Sequence, residues 1–482
     1  MVASERRKWL ALALLSVVQF MVVLDIAIVN VALPSIQVDL GFSQENLQWV
    51  ISAYALVFGG FLLLGGRAAD LVGRRRIFLG GVVVFTLASL LAGLAWSEAS
   101  LIGARAFQGL GAAIITPAAL SILSTTFVEG RERNIALGVW GAVGGFGAAA
   151  GVLLGGILTD ALSWEWIFFV NVPVGVIAFA LAPVLLAESR DARVKRFDIP
   201  GAVLVTTGLS SLVYAITQAG QEGWLAGETL AFFGIAVALL GGFVGWERRH
   251  SEPLMRFGIL QIRTVSGANV AGFIMGTALF AMFLMLTLYM QLVLGYSALK
   301  TGVAYLAVAG TAIVWSAVAA QLVTRVGVKP VLVTGMATLT AGLVYFTQVS
   351  VGGSYLGDLL PGFLLIAIGI GFSYVPISIA ALAGVQPAEA GLASGLINTS
   401  QQIGGALGIA ALSTIATSQT ENAVASGSAL PAALVDGFSA AFVAGVVIAG
   451  LGIVAALALI RRDELEQQAE PAEVEPALDL AA

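Results

Sequence analysis

Apolar runs of about 20 residues recur along the whole chain, and no other feature constrains the fold as strongly. Lipid offers no hydrogen-bond partner to a backbone amide or carbonyl, so a run of this length predicts a membrane-spanning helix. The composition agrees, because 59% of the 482 residues are hydrophobic and only 11% are charged, against about 25% charged residues in a soluble domain. The predicted spans are 10–33, 47–66, 77–96, 100–124, 135–158, 166–187, 200–218, 228–246, 266–290, 300–323, 330–349, 356–384, 390–416 and 436–460. We therefore predict an all-α integral membrane protein with fourteen transmembrane helices.

Basic residues are concentrated in alternate connections between these spans. With the amino terminus inside, the even-numbered connections also lie inside and hold clusters such as Arg74–Arg76 and Arg248–Arg249, whereas the opposite loops hold one base, Lys300. Such loops stay on the cytoplasmic side of a membrane. The first run continues to Leu33 without a small-residue cleavage site, so it is interpreted as an uncleaved span rather than a signal peptide. The sequence thus predicts a multi-pass protein of the inner (cytoplasmic) membrane with both termini in the cytoplasm.

A weak internal repeat divides the predicted spans into two sets of six. The segment 66–75 ends span 2 and the segment 320–329 ends span 10, and their glycines and basic residues align. Two duplicated six-helix halves with substrate held between them are one known transporter plan. The predicted units are an N-terminal half (1–187), a linker with the inserted spans 7 and 8 (188–250), a C-terminal half (251–460) and a disordered acidic cytoplasmic tail (461–482).

Few residues of this chain suit a cofactor or a catalytic site. Cysteine is absent, and the single histidine, His250, lies in a polar loop stretch, so we expect no metal site. The sequence has no phosphate-binding loop of the Gly-x-x-x-x-Gly-Lys-Ser/Thr type, and its basic residues are spread among short loops. We therefore predict a protein that is not an enzyme, has no cofactor, binds no nucleic acid and draws its energy from an ion gradient.

Five segments carry recognisable motifs. They are Leu24-Asp25-Ile-Ala-Ile-Val-Asn30-Val-Ala-Leu-Pro34, Gly66-Arg-Ala-Ala-Asp70-Leu-Val-Gly73-Arg74-Arg75, Leu101-Ile-Gly-Ala-Arg105-Ala-Phe-Gln108-Gly109-Leu-Gly111-Ala-Ala113, Trp164-Glu-Trp166-Ile-Phe-Phe-Val-Asn171-Val-Pro173 and Gly391-Leu-Ala-Ser-Gly395-Leu-Ile-Asn398-Thr-Ser-Gln401-Gln402. The second and third resemble motifs of the major facilitator superfamily. The other three are similar to motifs of its branch of fourteen-span drug:proton antiporters. The resemblance covers about residues 10 to 460 and implies a multidrug efflux transporter.

Three positions depart from the pattern of that branch. Val152 stands where the fifth-span antiporter motif, within 147–156, usually has proline. Ala27 replaces the usual threonine of the first-span motif, and Glu165 replaces a usual arginine. The missing proline weakens the indication of export, so nutrient uptake by a proton-coupled symporter stays as the alternative.

A carboxylate and a guanidinium lie within predicted spans, Asp25 in span 1 and Arg105 in span 4. A carboxylate in a span costs about 2.5–3.5 kcal/mol and needs a partner, water or a proton. Arg105 keeps its charge and must pair or hydrogen-bond. Both residues lie toward the outer side, which allows an ion pair, and we assign both to proton coupling. The alternatives are an interfacial carboxylate and a structural arginine bonded to backbone carbonyls.

Polar and aromatic residues of the spans are candidates for a substrate cavity. They are Asn30, Gln108, Tyr289, Gln291, Asn398, Gln401 and Gln402. Gln108 follows Arg105 at i+3 and shares its helix face. The last three fall at i, i+3 and i+4, so they can face one cavity. The alternative for each is an interhelical hydrogen bond, worth about 0.6 kcal/mol.

The loop after span 2 is predicted, by its resemblance alone, to latch the two halves together on the cytoplasmic side in the outward-facing state. The residues of this latch are Gly66, Asp70, Gly73, Arg74 and Arg75. In the family the acidic residue meets a helix start in the other half, and the start of span 13, near Ala390, is the matching position. Positive-inside sorting is a competing explanation for the arginines.

Small residues in span 5 are predicted to allow close helix packing. They are Gly147, Gly151, Gly155 and Gly156. The first three fall at i, i+4 and i+8 and therefore lie on one helix face.

We predict a proton-coupled antiporter that exports small amphipathic drugs or metabolites. The predicted partners are a small-molecule substrate, protons and membrane lipids, and the protein is predicted to be a monomer. A membrane enzyme is the hypothesis from a different class, but the chain offers neither a metal cluster nor a nucleotide loop. Accumulation of substrate by energised inverted vesicles distinguishes export from uptake.

Overall fold

The computed structural model describes residues 2–127, 131–189, 198–250, 253, 257–385 and 390–461. Most of the predicted disordered tail, 462–482, lies outside these residues. The described long helices, which we number in chain order, are α1 (Val2–Leu40), α2 (Trp49–Val72), α3 (Arg74–Gly93), α4 (Glu98–Thr126), α5 (Arg131–Ala161), α6 (Asn171–Leu185), α7 (Ile199–Gln221), α8 (Gly227–Glu247), α9 (Arg263–Leu288), α10 (Ala298–Val326), α11 (Val328–Phe346), α12 (Leu360–Ala380), α13 (Ala390–Ala425) and α14 (Leu430–Leu459).

Short helical segments complete the described chain. They are Gln44–Leu47, Trp166–Phe169, a 3₁₀ segment Phe257–Gln261 and single π-helical turns at Tyr289–Val293 and Tyr355–Leu359. Within the described ranges, eleven helical stretches are long and apolar enough to cross a membrane, and Trp49–Leu62 and Ala150–Ala161 are shorter apolar stretches. The prediction of a multi-pass helical protein is therefore confirmed.

Helix boundaries follow from local chemistry. Ser97 caps the start of α4 and forms a reciprocal capping box with Ser100. Asp198 caps α7, because its carboxylate accepts a hydrogen bond from the Gly201 amide at 2.9 Å. Gly73, between α2 and α3, has φ +128°, which a residue with a side chain rarely adopts. The chain therefore reverses between α2 and α3 within one residue.

The helices pack in two groups and a pair. Helices α1–α6 form the first group, in which α2 and α3 pack on α4, and α1 packs on α5. Helices α9–α14 form the second group, in which α9 packs on α13 and α12 packs on both α10 and α11. Helices α7 and α8 pack on each other, and α7 also contacts α2 and α13. This pair thus lies against both groups along one seam.

The two groups meet where α5 contacts α10 and α2 contacts α13. We call the end of the bundle at which α1 begins the near end, and the opposite end the far end. At the far end, the Leu299 amide donates to Asp160 Oδ2 at 3.0 Å, and Gln291 Nε2 donates to the Val31 carbonyl at 2.8 Å. Gly156 lies at the same contact, where an added Cβ would be 2.6 Å from Leu299 Cα. The groups are therefore joined closely at the far end.

The glycine row of α5 lies against α1. A Cβ added to Gly151 would be 2.8 Å from the Leu24 carbonyl, and one added to Gly155 would be 2.7 Å from the Ile28 carbonyl. Gly147 contacts the same helix one turn earlier. Because these distances leave no room for a side chain, the row brings the two backbones together on both sides of position 25.

Candidate functional site: a buried ion pair in the first helix group

Asp25 and Arg105 meet in the interior of the first group. Their side chains are 0% and 1% exposed, and Arg105 Nη1 donates to Asp25 Oδ2 at 2.6 Å. Arg105 Nε also donates to the Val50 carbonyl at 2.9 Å. The carboxylate is therefore buried among the helices, and the arginine combines an ion pair with a backbone hydrogen bond.

The second oxygen of the carboxylate is held by two amides. Gln108 Nε2 donates to Asp25 Oδ1 at 3.0 Å, and Asn171 Nδ2 donates to the same atom at 2.8 Å. Gln108 also accepts from Arg105 Nη1 at 2.9 Å and donates to Ser89 Oγ at 2.8 Å. The carboxylate thus accepts three hydrogen bonds, one of them from the charged guanidinium of Arg105.

Two members of this network were not predicted. Asn171 lies within a quoted motif, and that motif was the signal that could have identified it. Ser89 is a lone hydroxyl in an apolar span, where serine more often bonds to its own helix, and its hydroxyl does donate to the Phe85 carbonyl at 2.8 Å. Gln108, predicted for a substrate cavity, instead belongs to the Asp25 network and is 0% exposed.

Aromatic rings enclose the guanidinium. Arg105 Cζ lies 4.4 Å from the centre of the Tyr54 ring and 5.7 Å from that of Phe168. Cation–π contacts are worth about 2 kcal/mol or more where water is excluded. The Tyr54 hydroxyl is buried and, among the described residues, has no hydrogen-bond partner. The ion pair is therefore sealed from water in this conformation.

Protonation of Asp25 would have a large effect on this site. It would neutralise the carboxylate and leave the buried charge of Arg105 with a carbonyl, an amide oxygen and aromatic faces only. An unpaired buried charge costs about 3–5 kcal/mol. Loss of the carboxylate charge would therefore require a rearrangement that admits water or supplies another partner for Arg105.

The remaining cavity candidates are Asn30, in α1, and Tyr289 and Gln291, in the π-helical turn that follows α9. Asn30 Nδ2 donates to the Ile26 carbonyl of its own helix at 3.1 Å. The Tyr289 hydroxyl donates to the Ser350 carbonyl at 2.7 Å. Gln291 makes the far-end contact between the groups described above. The three side chains thus bond to three different carbonyls, although the partner of Gln291 is the residue that follows Asn30.

The candidates of α13 are divided between different neighbours. A Cβ added to Gly272 of α9 would lie 3.3 Å from Gln401 Cγ, and one added to Gly59 of α2 would lie 3.1 Å from Gln402 Cβ. Both glutamines are buried, whereas Asn398 is exposed. Spacing at i, i+3 and i+4 thus places the three side chains near one another along α13, but Gln401 packs against α9 and Gln402 packs against α2.

The arginines of the predicted latch are tied to the end of α6 in their own group. Arg75 N donates to Glu188 Oε1 at 3.2 Å, and Arg75 Nε lies 3.7 Å from Glu188 Oε2. Arg74 N donates to the Ser189 carbonyl at 2.8 Å. A Cβ added to Gly73 would lie 2.7 Å from Glu188 Oε1, so the glycine leaves room for this carboxylate at the start of α3.

The other latch residues lie on α2. A Cβ added to Gly66 would lie 3.4 Å from Pro117 Cβ, an ordinary contact with α4. The side chain of Asp70 and its predicted partner near Ala390 fall outside the described side chains. The predicted contact between the halves therefore stays a prediction.

A polytopic all-helical protein with two six-helix groups and a sealed ion pair has the architecture of a secondary transporter. The family model described as Major Facilitator Superfamily matches residues 15–409. The chain belongs to the major facilitator superfamily. It is therefore a multi-pass membrane transporter for small molecules and not an enzyme.

Relatives of the chain include proteins named for antibiotic resistance or export. The chain is 42% identical over 483 residues to the puromycin resistance protein of Streptomyces alboniger, covering 98% of this chain and 95% of that protein. It is 42% identical to the cephamycin export protein of Amycolatopsis lactamdurans, covering 90% and 88%. It is 34% identical to the tetracenomycin C resistance and export protein of Streptomyces glaucescens, covering 86% and 77%.

Solved structures share the fold. A bacterial homologue of the human lysosomal transporter Spinster, inward-facing and unoccupied, matches with a TM-score of 0.65 at 16% identity, covering 94% of this chain and 98% of that chain. The nucleoside transporter NupG matches with a TM-score of 0.66 at 11% identity, covering 94% and 100%.

Proposed function

We propose that this protein is a proton-coupled antiporter that exports small amphipathic antibiotics or related metabolites across the cytoplasmic membrane. The observation that carries the proposal is the sealed Asp25–Arg105 pair, because an ionisable pair inside a membrane domain needs a function to offset its insertion cost. The similarity to proteins named for antibiotic resistance and export supports export over the alternative of nutrient uptake.

The topology proposed has fourteen spans and both termini in the cytoplasm. The fourteen long helices and the basic residues of the near-end loops support it. We assign 1–187 to the N-terminal half, 188–250 to a linker with the inserted pair α7 and α8, 251–460 to the C-terminal half, and 461–482 to a cytoplasmic tail. The protein acts as a monomer, with the substrate held between the halves.

Proton coupling follows from the contacts of Asp25. In the present conformation the carboxyl group accepts hydrogen bonds from Arg105, Gln108 and Asn171. When the site opens to the proton-rich side, water reaches the pair and the carboxylate takes up a proton. Arg105 then depends on Val50, Gln108 and the Tyr54 ring. The contact between α1 and α4 is therefore weaker when Asp25 is protonated.

This change can reach the contact between the halves through α5. The glycine row of α5 packs against α1 around position 25, and Gly156 and Asp160 of the same helix contact the start of α10. A shift of α1 is thus transmitted to the far-end contact between the groups. That contact closes the far end, which supports an inward-facing conformation with the near end in the cytoplasm.

The test is transport with a defined direction. The protein is expressed in a host without its own efflux pumps, and inverted membrane vesicles are energised with an acidic interior. We expect accumulation of puromycin or a related amphipathic antibiotic inside the vesicles, and loss of accumulation on collapse of the pH gradient. Accumulation that is unchanged after this collapse would contradict proton coupling, and uptake only by right-side-out vesicles would favour the symporter.

A matched pair of variants keeps the test specific. Asp25→Asn removes the proton-carrying group, whereas Asp436→Asn makes the same change at an exposed position on α14. We expect Asp25→Asn to lose gradient-driven accumulation while it still inserts in the membrane, and Asp436→Asn to match the wild type. Equal transport by Asp25→Asn and wild type would remove Asp25 from the mechanism.

A further inference from the structure

An open cavity of about 630 Å³ lies at the near end between α11 and α14. Its polar lining consists of Lys329, at the start of α11, and Arg461, just after the end of α14. Its apolar lining includes Val333, Leu457 and Ile460. A cavity that joins two cations to an apolar wall is distant from the Asp25 network and takes no part in the mechanism above.

Hydrogen bonds to neighbouring helices position the Lys329 side chain and the Arg461 backbone. Lys329 Nζ donates to the Leu457 carbonyl at 2.5 Å, which leaves two of its three N–H groups for another acceptor. The Arg461 amide donates to Thr264 Oγ1 at 3.1 Å, which fixes the start of the tail against α9. Neither side chain forms an ion pair with a carboxylate in the described part of the chain. Among the described residues, the site therefore carries two positive charges and no carboxylate paired with them.

The internal repeat allows the start of α11 to be compared with the start of α3 in the first group. In the first group, α3 starts after Gly73, and the Glu188 carboxylate, three residues beyond the end of α6, accepts from the Arg75 amide. In the second group, α11 starts after Gly327 at the corresponding turn. Arg461, two residues beyond the end of α14, stands near the corresponding place. One group thus supplies its own anion at this helix start, and the other supplies cations.

An apolar stripe continues from the cavity along α14. Val447, Leu451, Val454 and Leu457 fall at i, i+4, i+7 and i+10, and each is more than half exposed. In a membrane protein an exposed apolar helix face of this kind contacts the acyl chains of the lipids. A free phosphate ion would use only the two cations, whereas a phospholipid would use the cations and the stripe together.

We propose that this cavity binds the headgroup of an anionic phospholipid in the leaflet at the near end. Lys329 and Arg461 contact the phosphate, the amides at the start of α11 face it, and one acyl chain lies along the stripe of α14. Clusters of basic residues beside a membrane-spanning helix bind such lipids through the same chemistry. The proposal depends on the membrane location of the protein and not on which substrate it exports.

The test is lipid binding to the purified full-length protein in neutral detergent. Phosphatidylglycerol and phosphatidylcholine of the same chain length are titrated, and bound lipid is counted by native mass spectrometry. We expect tighter binding of phosphatidylglycerol, weakened about fivefold by Lys329→Gln or Arg461→Gln and further by both together. Arg325→Gln is the matched control, because Arg325 is an exposed base at the same end that does not line the cavity.

Three outcomes would overturn the proposal. The first is equal affinity for the two lipids, and the second is an equal loss of binding in Arg325→Gln and the double variant. The third is displacement of phosphatidylglycerol by millimolar inorganic phosphate, which would assign the cations to a free anion instead. A folded double variant is verified by an unchanged thermal unfolding profile in detergent. Because no transport is measured, this result is independent of drug export.

Discussion

A double-mutant cycle on Asp25 and Arg105 tests whether the two side chains act as one buried pair. Asp25→Asn replaces a carboxylate that accepts three hydrogen bonds with an amide that has one oxygen. Its NH₂ group would then face another N–H donor, from Arg105, Gln108 or Asn171. The variant therefore loses at least one hydrogen bond and leaves the Arg105 charge without its counterion in a site that is closed to water.

The magnitude follows from this burial. Removing one partner of a buried ion pair costs about 3–5 kcal/mol, because the other charge stays unpaired. Arg105→Gln has the converse effect, because it leaves the Asp25 carboxylate without its counterion. The double variant contains no unpaired charge, so its loss should be smaller than the sum of the two single losses by about 1–3 kcal/mol.

The assay is the free energy of unfolding of each purified variant in one detergent, together with transport in vesicles. We expect both single variants to lose stability and transport, and the double variant to regain stability but not transport. Asp436→Asn, an exposed position, should stay within about 0.5 kcal/mol of wild type. Additive losses in the double variant, within about 0.5 kcal/mol, would refute the claim of an ion pair.

Three further predictions concern packing, the contact between the groups and the cap of α7. Gly151→Ala should destabilise by about 1–3 kcal/mol, because its Cβ would lie 2.8 Å from a carbonyl of α1, whereas Gly103→Ala, with open space around it, should not. Asp160→Ala removes the acceptor at the start of α10 and should raise the far-end-open population two- to tenfold, in line with a loss of about 0.5–1.5 kcal/mol; distances between spin-labelled cysteines across the far end measure it. Burial raises the pKa of Asp198, but hydrogen bonds, led by that from the Gly201 amide, outweigh it and hold the pKa below the usual 3.8. Because the pKa of Asp198 is lower in the folded than in the unfolded state, its carboxylate stabilises the fold at pH values above the unfolded-state pKa. Asp198→Asn should therefore cost stability at neutral pH, and the difference should disappear as the pH falls below about 4 and through the folded-state pKa. An unchanged Gly151 variant, an unchanged far-end distance or a pH-independent Asp198 difference would contradict the respective argument.

The sequence indicated the membrane helices and two members of the site because both rest on local physics. A long apolar run, and a charged residue within it, can be recognised in the sequence without knowing which other residues they contact. Most helix boundaries were predicted within about six residues, but α1 extends well beyond its apolar part, from Val2 to Leu40, and α13 continues to Ala425, nine residues past the predicted end at 416. There the helix continues into polar surroundings, where hydropathy gives no signal.

The partners of the charged residues could not be predicted in the same way. Asn171 lies 146 residues from Asp25 along the chain, and Glu188 lies 113 residues from Arg75. Such contacts depend on how helices pack, which neither spacing nor hydropathy encodes. Gln401 and Gln402 illustrate the same limit, because adjacent positions of one helix face different neighbours once helices pack on both sides.

The most direct test of proton-coupled antiport is proton movement driven by substrate alone. Liposomes that contain the purified protein and a trapped pH dye are given an antibiotic gradient without any imposed pH gradient. We predict proton flux opposite to the antibiotic flux in wild-type liposomes and none in Asp25→Asn liposomes. Antibiotic flux without proton flux in the wild type, or equal proton flux in Asp25→Asn, would contradict the account.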